Sequence, residues 1–347
     1  MQYTFELVKE RGLSLPETQI QRGIEALNGL AKLTGIDWFE QKGIKNSQSP
    51  FYVYEAIQIW EDWSAIKDIS RANSIAKRLR YDLNSAASEI FVGSRLVKGG
   101  LNVEIEPDLD EKKPDFRFRI DDQWIYLETT LRAVSQVLEN SNKLLQAASS
   151  LVAQIVPGRH GMLAFLKPIT LNEMPQINQW LNTVKDKAEA QLDGTAYYYS
   201  DPQMDSVIGG NDPLIKRVSK PRLFSTYFSS DGRAVITKGT ACMQVFDSQA
   251  QEVLENEAKQ LSKSAPGVIC VDLSGVIGGL REWKPLIERR LQPNINTRIS
   301  AVILIEKVMA QDGNLELKGA LINNKFSINP ITKSVDLTLQ KIFNCVL

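Results

Sequence analysis

The first third of the chain has the hydrophobic spacing of helices. Apolar residues recur every three or four positions from Pro16 to Leu33 and again from Tyr54 to Ile69, the period of an amphipathic helix. The same spacing runs from residue 70 to Val97, where Gly99 and Gly100 end the pattern. The sequence therefore predicts a helical N-terminal segment, residues 1–68, followed by one long helix.

Strand patterns begin after the two glycines. Short apolar or alternating runs predict strands at Leu101 to Glu106, Phe116 to Ile120 and Trp124 to Thr129. The polar residues Asp121, Asp122 and Gln123 between the last two runs are typical of a hairpin turn. We therefore expect the second and third strands to pair with each other.

The rest of the chain mixes both patterns. Helices are predicted at residues 133–155, 174–191, 247–263 and 283–291. Strands are predicted at residues 162–166, 195–199, 267–273, 299–305 and 315–322, with a hairpin at 234–246. Residues 200–232 are predicted to be a loop rich in Gly, Pro, Ser and Asp. This mixture indicates an α/β or α+β protein.

Composition excludes several kinds of site. The 41 Lys and Arg residues balance the 41 Asp and Glu residues, so the net charge indicates no partner. A single histidine, His160, excludes sites built from two or more imidazoles of this chain. The three cysteines are far apart and include no Cys-x-x-Cys pair. Metal chemistry in this chain must therefore use oxygen ligands.

The N-terminal residues lack the features of a secretory signal. No positively charged region precedes an apolar run in the first residues, MQYTFELVKERG. No window of the chain approaches the roughly 20 apolar residues that a membrane-spanning helix needs. We therefore expect a cytoplasmic protein that does not interact with membranes.

Two carboxylates are predicted to meet on one face of the hairpin. Side chains alternate between the two faces of a strand. Asp115 is therefore expected on the face that Phe116 does not occupy, and Glu128 on the face that Leu127 does not occupy. Pairing of the two strands brings Asp115 and Glu128 together near one end. Two such carboxylates repel each other unless a cation lies between them, and their oxygens suit Mg²⁺ or Mn²⁺. Glu89, on the preceding predicted helix, is a third candidate ligand.

The order of these residues resembles a known family. A helical Glu89, a strand, Pro114-Asp115, twelve residues and then Glu128-x-Thr130 are similar to the core of the PD-(D/E)XK nuclease superfamily. The resemblance covers roughly residues 70–170. It implies an α/β domain over residues 69–347 with a restriction-endonuclease-like mixed sheet flanked by helices. Strands near 267 and 299 would complete the sheet after an insertion at about 131–246.

The same resemblance implies a function and assigns roles to residues. Asp115, Glu128 and Glu89 would bind Mg²⁺ or Mn²⁺, and the ion would activate the water that hydrolyses DNA, as in restriction, repair or defence against foreign DNA. Many enzymes of this family act as dimers, so a homodimer and a monomer both remain open. The catalytic lysine of the family is missing, because Thr130 occupies its position.

The missing lysine leaves two interpretations open. Lys113, Lys143 and Lys259 are candidates for a lysine that has moved elsewhere in the sequence. A hydroxyl at position 130 donates a hydrogen bond but supplies no positive charge to the transition state. The alternative is a catalytically inactive module of the same fold that binds nucleic acid or takes part in protein assembly.

A basic segment is the main candidate for DNA contact. Six basic residues and two acids lie between residues 211 and 240, interleaved with three aromatic residues. Basic side chains reach phosphates and aromatic rings stack on bases, so we expect DNA contacts here. The contacts would come from Lys216, Arg217, Lys220 and Arg222. A solvated loop is the alternative, with DNA then binding on the basic residues 71–80 that precede Glu89.

Overall fold

A computed structural model gives the structure of the protein. It describes residues 2–12, 15–42, 49–108, 113–132, 136–155, 160–201, 224–228, 234–237, 243–274, 276, 279–309 and 315–345. The chain divides into two compact units. The first comprises Met1–Arg132, Ala250–Ser274 and Trp283–Leu347, and the second comprises Ala133–Gln249 and Gly275–Glu282.

Helices account for most of the first 98 residues. They are α1 (Phe5–Arg11), α2 (Glu17–Thr34), α3 (Trp38–Gln41), α4 (Pro50–Ile66), α5 (Ala72–Arg78) and α6 (Leu83–Lys98). The later helices are α7 (Gln136–Ile155), α8 (Met174–Val184), α9 (Met243–Glu257), α10 (Gly279–Arg290) and α11 (Lys333–Ile342), with a short 3₁₀ turn at Leu171–Glu173.

The strands form two sheets. They are β1 (Val103–Ile105), β2 (Phe116–Ile120), β3 (Gln123–Leu131), β4 (His160–Phe165), β5 (Glu189–Leu192), β6 (Ala196–Asp201), β7 (Phe224–Phe228), β8 (Ala234–Thr237), β9 (Gly267–Asp272), β10 (Ile299–Met309) and β11 (Leu315–Asn323). The six-stranded sheet has the order β1-β2-β3-β9-β10-β11, and the five-stranded sheet has the order β5-β6-β4-β7-β8.

The six-stranded sheet belongs to the first unit and is mixed. Strands β1, β2 and β3 pair antiparallel, β9 lies parallel to both β3 and β10, and β11 returns antiparallel to β10. Every residue of β9 is buried, as expected for a strand covered on both faces. The predicted α/β class with a mixed sheet flanked by helices is therefore confirmed.

One core joins the N-terminal helices to a face of this sheet. Alternation along β2 buries Phe116 and Phe118, which register with Leu127 and Ile125 of β3. These side chains pack with apolar residues of α2, α4 and α6, and with Val268, Cys270, Ile303 and Ile305 of the neighbouring strands. The predicted face of the hairpin is confirmed, and the turn consists of Asp121 and Asp122 because β3 begins at Gln123.

The predicted long helix after residue 70 is two helices. The side chain of Asp82 accepts a hydrogen bond from the amide of Ser85 and so begins a new helix, α6. A turn from Leu79 to Tyr81 separates α6 from α5. The apolar period alone did not reveal this break, because it continues across the turn.

The second unit contains the five-stranded sheet, and α7 packs on β4 and β7. The helix predicted at 174–191 ends at Val184, and Glu189–Leu192 instead forms the edge strand β5 by pairing with β6. The loop predicted at 200–232 contains β7, and the hairpin predicted at 234–246 is wrong because β8 pairs with β7 and α9 begins at Met243. Helix α11 was not predicted.

Among the described residues, every helix is too short or too polar to cross a lipid bilayer.

Candidate carboxylate site

Asp115 and Glu128 lie side by side on neighbouring strands. Phe116 registers with Leu127, so the positions next to them, Asp115 and Glu128, face each other across the ladder. The amide of Asp115 donates to Glu128 Oε2 at 3.3 Å, and the amide of Thr129 donates to Asp115 Oδ2 at 2.7 Å. The hairpin backbone therefore orients both carboxylates, as the alternation of the two strands predicts.

Glu89 reaches this end of the sheet from α6. Its side chain is buried, at 5% exposure, and accepts a hydrogen bond from the guanidinium of Arg78 at the end of α5. Arg78 also approaches Glu106 Oε1 at 3.5 Å. Glu106 follows β1, and its amide donates to the carbonyl of Asp115 at 2.8 Å. Arg78 is therefore a cation among the acids at the start of β2.

A fourth carboxylate, Glu257, was missed by the sequence analysis. It is the last residue of α9, and its carboxyl interacts with the Thr130 side chain, which acts to lower its pKa. Glu257 is close enough to act electrostatically on both Asp115 and Glu128. It comes from a segment more than 120 residues further along the chain. No local spacing signal connects the two segments.

A second cation, Arg132, follows Thr130 on the same strand face. Positions 128, 130 and 132 alternate with the core-facing positions of β3. The amide of Arg132 donates to the carbonyl of Asp272 at 2.9 Å, and its guanidinium acts on Glu257. Its Nε is buried without a hydrogen-bond partner in the part of the chain that the structure describes. Glu128 and Thr130 of β3 and Arg132, directly after its end, thus stand at alternate positions.

Burial raises the pKa values of these acids, and neighbouring acids raise some of them further. Burial is the largest cause for Glu89 and Glu128, and the charge of Asp115 raises the pKa of both carboxyls further. Burial also raises the pKa of Asp115, against the opposing effects of the Thr129 amide and Arg78. The pKa of Glu257 is raised by burial as well, although Thr130 and Arg132 oppose the shift. Without a further cation, these groups bind protons more tightly than free carboxyls do.

The carboxylate oxygens of these residues suit a hard divalent cation, but the three predicted ligands do not form one group. Within the described residues, no three His, Cys, Asp or Glu side chains are grouped so as to hold a metal ion. Asp115 and Glu128 are adjacent and supply oxygen ligands, the type that Mg²⁺ and Mn²⁺ prefer. Glu89 is paired with Arg78 instead. Two of the three predicted ligands, Asp115 and Glu128, are therefore adjacent, and the third is paired with an arginine.

The three lysine candidates are exposed side chains. Lys113 is exposed, and Lys259 is exposed and donates to Asn256 Oδ1 at 3.1 Å. Lys143 is exposed on α7 in the second unit. The predicted DNA-contacting residues Lys216, Arg217, Lys220 and Arg222 lie outside the described residues. Among the described residues, the cations shown to act on the acids are the arginines Arg78 and Arg132.

A second buried carboxylate lies on the opposite face of the same sheet. Asp272 ends β9, is fully buried, and is paired with Lys307 Nζ at 2.5 Å. It also accepts a hydrogen bond from Ser88 Oγ at 2.7 Å and from the Ser274 amide at 2.9 Å. Burial acts to raise the pKa of Asp272, but Lys307 and these hydrogen bonds prevail and lower it. This carboxylate is ionised and fully paired.

Comparison with protein-family models, curated proteins and solved structures finds no match to the chain.

Proposed function

We propose that the chain is a divalent-metal-dependent nuclease of the restriction-endonuclease-like fold that hydrolyses DNA phosphodiesters. The observation that carries the proposal is the side-by-side placement of Asp115 and Glu128 on paired strands, with the buried Glu89 delivered from the preceding helix to the same end of the sheet. The chain order supports it: a helix, three antiparallel strands, and a later strand parallel to the third.

In this proposal, Asp115, Glu128 and Glu89 would hold Mg²⁺ or Mn²⁺, and the ion would supply an activated water as nucleophile. Arg132 lies two positions beyond Thr130 on the same strand face and supplies the positive charge that the missing lysine would give to the developing phosphorane. Thr130 orients Glu257 through its hydroxyl. The departure from the family pattern is then compensated by Arg132.

Metal binding and DNA cleavage test the proposal. We expect Mn²⁺ to give a calorimetric binding signal with the unaltered protein, and Mg²⁺ to support nicking of plasmid DNA. Asp115→Asn and Glu128→Gln should remove the binding signal and slow nicking by at least about 100-fold, because each removes a ligand charge. Asp122→Asn is the matched control, since its side chain is 99% exposed in the turn of the same hairpin.

The competing function is a catalytically inactive module that keeps the fold and binds nucleic acid. Thr130 in place of the lysine and the pairing of Glu89 with Arg78 favour it. DNA binding without a calorimetric metal signal, and without nicking in Mg²⁺ or Mn²⁺, would establish this alternative and overturn the nuclease proposal.

A further inference from the structure

The segment that carries Arg78 into the carboxylate site has an unusual charge. Residues 69–81, which include α5 and the turn before α6, contain four basic residues and no acid. The chain as a whole has equal numbers of basic and acidic residues. This segment is therefore a local positive region at the edge of a cluster of acids.

Within the described residues, half of this positive charge is paired. Arg71 forms an ion pair with Asp108 at 2.5 Å, and Arg78 bonds Glu89. Lys77 and Arg80 are exposed, and among the described residues no carboxylate forms an ion pair with either of them. Their charges contribute nothing to internal pairing in this part of the structure, so they are available to an external anion.

An exposed aromatic ring lies next to these two cations. Tyr81 follows Arg80 and is 77% exposed, the largest exposure of any large hydrophobic side chain described. A single exposed aromatic residue is unremarkable, but base-stacking sites combine such a ring with adjacent basic side chains. Lys77, Arg80 and Tyr81 together are called the α5 surface below.

The α5 surface is joined directly to the carboxylate site. Lys77 and Arg80 flank Arg78, which bonds Glu89, and Ser74 of the same helix donates to Glu106 Oε1 at 2.7 Å. Glu106 in turn bonds the backbone of Asp115. When the reacting phosphate of a nucleic-acid strand lies at the acids, the adjoining part of the strand lies beside α5.

We infer that the α5 surface binds a single DNA strand, with Lys77 and Arg80 on backbone phosphates and Tyr81 stacked on a base. This inference rests on the proposed function, because it names the surface by which the substrate reaches the same site. Two exposed cations and one exposed ring suit a flexible strand, whose bases are free to stack.

The test measures binding of the full chain to a fluorescent oligothymidine of about 20 nucleotides in EDTA, where no cleavage occurs. The double variant Lys77→Ser with Arg80→Ser should weaken binding at least about tenfold at low salt. It should also reduce the slope of log affinity against log salt by about 1.4, since each single-strand phosphate contact contributes about 0.7. Tyr81→Ala should weaken binding at least about fivefold.

The control removes the same charge elsewhere. Lys32→Ser with Lys333→Ser alters two exposed lysines of α2 and α11. If the α5 double variant binds no more weakly than this control pair, the inference is overturned. A duplex that binds more tightly than the oligothymidine and is unaffected by Tyr81→Ala overturns the assignment to a single strand.

A small substrate separates this inference from the proposed function. Hydrolysis of bis(4-nitrophenyl) phosphate in Mn²⁺ needs the carboxylates but not an extended surface. If hydrolysis is lost in Asp115→Asn while the α5 variant binds oligothymidine as the unaltered protein does, the α5 surface is overturned and the proposed nuclease activity is retained. If the α5 variant binds oligothymidine more weakly and the unaltered protein shows no hydrolysis, the α5 surface is retained and the proposed nuclease activity is overturned.

Discussion

Buried carboxylates on the two faces of the six-stranded sheet have opposite electrostatic environments. Asp272 has one lysine, two further hydrogen bonds and a lowered pKa. Asp115 and Glu128 lie against each other, with raised pKa values and Glu257 close by. Helix α6 contributes a side chain to each group: Ser88 donates a hydrogen bond to Asp272, and the neighbouring Glu89 belongs to the acidic cluster.

If the proposed function holds, this difference separates a structural carboxylate from functional ones. A fully paired buried ion stabilises a single arrangement once the fold has formed. A cluster of acids that lacks enough cations lowers stability, and such strained electrostatics are concentrated at functional sites. The sheet therefore contains an internal control: the pair of Asp272 and Lys307 shows how the chain neutralises a buried carboxylate with its own side chains.

The largest expected effect comes from breaking the paired side. Lys307→Ala leaves Asp272 buried without its counter-ion and should lower the free energy of unfolding by about 3–5 kcal/mol. Urea denaturation measures the change. Lys318→Ala, an exposed lysine of β11, should change the free energy by less than about 0.5 kcal/mol. Equal effects of the two substitutions would show that the pair with Asp272 is dispensable.

The acidic cluster should give stability an inverse dependence on pH. The folded state raises the pKa of Glu89, Asp115 and Glu128, so it binds more protons than the unfolded state between about pH 5 and 8. The free energy of unfolding should therefore fall as pH rises over this range, and millimolar Mg²⁺ should reverse the fall.

Urea denaturation at several pH values, with and without Mg²⁺, measures this dependence. The paired side contributes with the opposite sign, because the lowered pKa of Asp272 gives stability that is lost as pH falls. Glu128→Gln should flatten the decrease at high pH. A variant with the same pH profile as the unaltered protein would contradict the assignment of the decrease to this cluster.

The smallest effect tests whether a cation makes the two faces alike. Thr130→Lys places an ammonium group on the strand face of Glu128, as Lys307 stands beside Asp272, and should raise stability at pH 8 by about 1 kcal/mol. Thr130→Met has similar length without charge and also removes the bond to Glu257. Thermal unfolding of both variants measures the difference, and identical midpoints would rule out an electrostatic gain.

The sequence sufficed for the features that depend on local pattern. Alternation and a short polar turn predicted both the core face of β2 and β3 and the meeting of Asp115 with Glu128. It did not suffice for groups brought in from elsewhere. Glu257 and Arg78 reach the site through tertiary packing, and the period-two position of Arg132 was visible but carried no motif. Strand β5 likewise exists because β6 pairs with it, which a helical pattern conceals.

The insertion also has a kinetic consequence. Strands β3 and β9 are direct parallel neighbours, yet their partners, such as Tyr126 and Gly267, are about 140 residues apart in the chain. Closing so long a loop costs conformational entropy before strand pairing contributes any favourable free energy. Pairings of high sequence separation therefore slow folding. The central ladder of the first unit is therefore a late, non-local event. Glu128 on β3 acquires its Glu257 neighbour only after most of the polypeptide has been synthesised.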